Sequence, residues 1–67
     1  MNITIPQLPF NIGKKLIGLD NRKVFVADVI YSFVEKDWLV IYHSLDDKDI
    51  IQGTYTLNLD TFILGLK

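Results

Sequence analysis

Neither a disulfide nor a Cys/His zinc site can staple this chain, because its 67 residues include no cysteine and a single histidine, His43. A domain of that size buries only about 60% of the surface its unfolded chain exposes. A single core of that size rarely contributes more than about 3–5 kcal/mol of net stability. Apolar packing must therefore hold the fold, within one chain or between chains. The material is present in nine isoleucines, nine leucines, five valines and eight aromatic residues. Such a composition excludes a disordered chain. Seven basic against eight acidic side chains leave a net charge of −1, which disfavours coating nucleic acid through a broad positive field. Residues 1–34 carry four basic and two acidic side chains, and residues 35–67 carry three and six. That is a mild dipole and not a charged tail.

No run approaches the roughly 20 apolar residues of a membrane-spanning helix. The longest uncharged stretch, residues 1–13, is interrupted by Pro6 and Pro9. Residues 1–10 hold neither a positive side chain nor a continuous apolar segment, so no secretory signal is expected. The expectation is a cytoplasmic protein with no membrane partner.

Residues 1–12 read as an extended apolar arm, since Ile5 and Leu8 each precede a proline and are pushed out of helical geometry. Ile3, Ile5, Leu8, Phe10 and Ile12 need cover, so the arm is expected to lie on the body of the domain, residues 13–67, or on a neighbouring subunit. Residues 14–19 predict a short strand with a turn at Asp20-Asn21. Residues 23–34 are dense in branched and aromatic side chains and predict a second strand. Its odd positions, Phe25 to Phe33, form the cleaner apolar face, and its length predicts a bulge near Asp28 or Ser32. After the polar turn Glu35-Lys36-Asp37, residues 38–44 are apolar on both faces, as in a central strand covered on both sides.

Residues 49–59 alternate clearly: Ile51, Gly53, Tyr55, Leu57 and Leu59 against Gln52, Thr54, Thr56 and Asn58. Gly53 would permit a bulge or a close approach. The period then changes. Leu59, Phe62, Ile63 and Leu66 make one helical stripe, with Asn58 or Asp60 available to cap it. The layout is mainly β: a small, strongly bent antiparallel meander of about four strands with a short C-terminal helix. Over residues 13–67 its strand spacing resembles that of the SH3-like or Tudor-like small barrels. The resemblance implies a β-barrel, and the alternative is an open sheet with the helix on one face.

Chemistry is sparse. His43 has no nucleophile beside it, since Ser44 falls on the opposite face of the strand. Asp46, Asp47 and Asp49 lack the glycine and terminal glutamate of a calcium loop, and read as a solvated turn. Gly13, Gly18, Gly53 and Gly65 stand apart, so there is no phosphate loop. No catalytic residue, metal site or cofactor is expected. The expected function is a non-enzymatic protein-interaction module: a small accessory or inhibitory protein that docks on a protein partner or forms a homo-oligomer. Trp38, Tyr31, Phe10 and Ile5 are the candidate contacts. The alternative is a nucleic-acid-binding small barrel that uses Lys14, Lys15, Arg22 and Lys23 beside neighbouring aromatics.

Overall fold

The computed structural model describes residues 6–18 and 21–66. Four strands and a helix follow in chain order: β1 (Lys15–Ile17), β2 (Lys23–Ser32), β3 (Asp37–Leu45), β4 (Ile51–Asn58) and α1 (Leu59–Leu64). Each strand pairs antiparallel with the next, giving one sheet of order β1-β2-β3-β4. Among the described residues no pairing joins β1 to β4, so the sheet is open and the expected barrel does not close. The physical reason lies in β1, whose three residues pair only with Lys23, Val24 and Phe25. Closure needs strands long enough to tilt and meet with a stagger. The open alternative is the one observed, with α1 against β3 and β4. The molecule is long, 43 × 20 × 19 Å.

A bulge decides which side chains enter the core. Val26 pairs with Tyr42 and Asp28 with Ile41, leaving Ala27 unpaired. The bend falls where the length of the strand predicted it, and the Asp28 carboxylate accepts a bond from the Val29 N–H (2.8 Å) beside it. An extra residue inverts the alternation. Val24 and Val26 therefore face the core before the bulge, and Val29 packs against it afterwards. The expected odd-numbered apolar face holds only beyond Ala27; Phe25 lies on the opposite side, stacked on His43. A second register shift between Ser44 and Leu45 pairs Leu45 with Ile51, which carries Ile51 off the face of Tyr55 and Leu57.

The core is Phe10, Val24, Val26, Val40, Leu59 and Phe62. Phe62 and Phe10 form a T-shaped pair at 5.3 Å between centroids, and Phe62 also lies 5.3 Å from Tyr42. The arm therefore reaches the core of its own chain, and Gly13 N–H donates to the Val26 carbonyl (2.8 Å). The predicted helical stripe is the buried one: Leu59 and Phe62 are buried, while Ile63 and Leu66 pack against the core. Asn58 occupies the N-cap position but makes no capping bond. Its amide donates instead to Asp37 Oδ2 (2.7 Å), tying the start of the helix to the β2–β3 hairpin. Among the described residues only one face of the sheet carries Phe10 and the helix, so β3 is central but not covered on both sides by them: Leu39, Ile41 and His43 on its other face stay half-buried.

Phe62→Ala is expected to cost about 3–5 kcal/mol, comparable with the whole stability of so small a domain. Circular dichroism should find that variant largely unfolded at room temperature. Leu64, 86% exposed on the same helix, is the control: its change to alanine should stay within about 0.5 kcal/mol in chemical denaturation.

Candidate functional site

Among the described residues, β2 beyond the bulge pairs with β3 alone, and β4 joins β3 only from Leu39, opposite Asn58. The last rungs, Tyr31 with Trp38 and Ser32 with Asp37, therefore extend past the rest of the sheet as a two-stranded hairpin. Tyr31 lies edge-on to Trp38 at 5.4 Å and to Phe33 at 5.2 Å. Such T-shaped pairs match the positive edge of one ring to the negative face of another. Phe33 is 68% and Val34 94% exposed. The turn carrying them is held from within. The Glu35 N–H donates to Ser32 Oγ (3.1 Å), and Asp37 Oδ1 accepts from the Trp38 N–H (2.8 Å). Lys36 has a left-handed φ of 57°.

Of the residues expected to bind protein, Tyr31 and Trp38 meet at this tip, and Trp38 also packs against the core. Phe10 is buried against Phe62 instead. Ile5 lies outside the described residues. Phe33 and Val34 were not singled out by sequence, because the apolar run through residue 34 reads as unbroken strand. The available signal was its excess length: β2 stops at Ser32 and the turn takes the remainder.

The basic candidates form a different arrangement. Asp49, at the β3–β4 turn with a left-handed φ of 63°, receives Lys15 Nζ at 2.7 Å and Lys23 Nζ at 2.8 Å. The bond from Lys15 and then that from Lys23 pull the Asp49 carboxyl down to about 2 from an ordinary 3.8. Its hydrogen bond to Asp49 raises the pKa of Lys23. Two of the four candidate cations thus share one carboxylate, while Lys14 and Arg22 are exposed without an ion pair among the described residues.

The neighbouring Asp46 organises the loop. Its Oδ1 accepts the N–H groups of Lys48 (2.8 Å) and Ile50 (2.9 Å), and its Oδ2 accepts Gln52 Nε2 (3.1 Å). This is the turn role expected of aspartate. An open cleft of about 400 Å³ beside it is walled by Arg22 and Lys23 on one side and Asp46 and Asp47 on the other.

His43 and Thr54 share a hydrogen bond (2.8 Å) on the face opposite the core, whereas Ser44 is buried on the core face. Among the described residues no group of three or more His, Asp or Glu side chains could hold a metal ion, and no helix is long and apolar enough to cross a membrane. In comparisons with known proteins, no family model, no curated protein and no solved structure matches the chain.

The ion pairs give the pH dependence a sign. A carboxyl whose folded pKa is depressed contributes stability fully above its unfolded value, and loses it as pH falls through the folded one. For Asp49 that window runs from 3.8 down to about 2. Lys23, with its pKa raised, contributes below 10.5 and loses its contribution as pH rises through the raised value. Carbon-detected NMR should find the Asp49 carboxyl titrating near 2, and Lys15→Met with Lys23→Met should return it towards 3.8.

Proposed function

We propose that this chain is a non-enzymatic interaction module, a small accessory or inhibitory protein that inserts its β2–β3 hairpin tip into an apolar pocket of a protein partner. The observation that carries the reading is the cluster of Tyr31, Phe33 and Trp38, with Val34 beside it, on an extended and internally braced hairpin. Exposed apolar groups gathered in one patch mark interfaces more often than scattered ones do. Aromatic anchors are the residues that most often dominate binding energy. The internal bonds of the turn reduce the ordering cost on association. The nucleic-acid alternative loses support from the engagement of Lys15 and Lys23 by Asp49.

Affinity capture of the tagged chain from lysate, after nuclease and at high salt, followed by the Phe33→Ser/Val34→Ser variant, tests the reading. A partner that survives both treatments should be lost on this double substitution. The stability of the isolated chain should change by no more than about 0.5 kcal/mol per exposed site. Partners that disappear with nuclease, or that the variant still retains, would refute docking through the tip.

A further inference from the structure

The two edges of the sheet are built differently. At the β1 edge only three residues form the strand, and Lys14 and Lys15 stand at it. Short strands and lysines are the devices by which edges avoid pairing with other chains. The β4 edge has neither. Its eight residues, Ile51–Asn58, contain no charge and no proline, and it ends the sheet among the described residues. The register shift between Ser44 and Leu45 disturbs only its first two positions. From Gly53 to Asn58 it runs in regular register with β3. In a strand paired on one side, alternate N–H and C=O groups point away from the partner and need another one.

We propose that two copies of the chain pair antiparallel along β4, making a two-fold dimer with one continuous sheet of twice four strands. A two-fold axis perpendicular to the sheet brings like faces together. Centred on Tyr55, it sets Tyr55 opposite itself, Thr54 opposite Thr56, and Gly53 opposite Leu57. Thr–Thr pairs are favourable cross-strand neighbours, and no rung from 53 to 57 places like charges together, because that segment has none. The strand is therefore complementary to itself. Tyr55 does not obstruct the approach. Its ring leans back along its own strand, with Oη 2.8 Å from where a side chain at Gly53 would begin. One bare edge and one guarded edge per chain also make the assembly close at two copies, whereas two bare edges would propagate a fibre. The antiparallel arrangement leaves both helices on one face and sends the two aromatic tips to opposite ends, so the dimer is independent of the docking tip.

Sedimentation equilibrium of the full chain over a wide concentration range tests this inference. The expected species at high concentration has twice the 7.7 kDa of one chain. Thr54→Lys/Thr56→Lys and Thr54→Glu/Thr56→Glu should each weaken the dimer at least about tenfold by setting like charges opposite one another. An equimolar mixture of the two variants should associate again, since the introduced lysines then face glutamates. Phe33→Ser/Val34→Ser should leave the dimer intact, which separates this inference from the docking reading. If the charged variants unfold, hydrogen exchange on the unmodified chain decides: alternate amides of residues 53–57 should exchange more slowly as concentration rises. A 7.7 kDa species at every concentration would overturn the proposal. So would a dimer indifferent to both charge variants, or β4 protection that does not depend on concentration, the mark of an edge covered by the chain's own residues.

Discussion

Everything in this molecule depends on the ring of Phe62, held between Phe10 from the arm and Tyr42 from β3. A six-residue helix has no stability of its own, and an arm interrupted by Pro6 and Pro9 has no ladder to join. Each becomes ordered because the other covers it on the sheet. The buried valines beneath, Val26 and Val40, are fully enclosed only with that lid in place.

That economy has a consequence for the surface. Among the described residues, Phe10 with its neighbours and one short helix cover one face of the sheet, and part of the remaining apolar surface is left exposed. The most exposed of these described apolar side chains are Val34 and Phe33 at the hairpin tip and Leu64 on the helix, with Ile50 just before β4 and Ile51 and Tyr55 within it. The charged residues are arranged around this. Lys14 and Lys15 stand at β1, and Asp49 gathers Lys15 and Lys23 into a compact cluster of the β1, β2 and β4 ends. The bare edge is the exception that a second copy would resolve.

Much of this was legible in the residues. The strands, the change of period at Leu59 and the helical stripe followed from side-chain spacing, because alternation and a repeat of three to four are local consequences of backbone geometry. The bulge was legible as excess length around Asp28, yet the face that entered the core was not, since an unpaired Ala27 inverts every later position. Tyr31 and Trp38 were recognisable as contact candidates, but Phe33 and Val34 looked like strand. Phe10 looked available because apolar residues near a terminus carry no mark of what covers them.

By itself, then, the sequence determined a mainly β chain ending in a short helix, without a disulfide or a Cys/His zinc staple to hold it, and with too many apolar residues for one core. These properties are set by composition and nearest-neighbour geometry. Only the tertiary structure decided that the sheet stays open, that Phe10 belongs to the core, that Lys15 and Lys23 meet on Asp49 and that Phe33 and Val34 stand exposed at the hairpin tip. Each of those depends on residues far apart in the chain arriving at one place, and the register that brings them there is fixed by pairing, not by local preference.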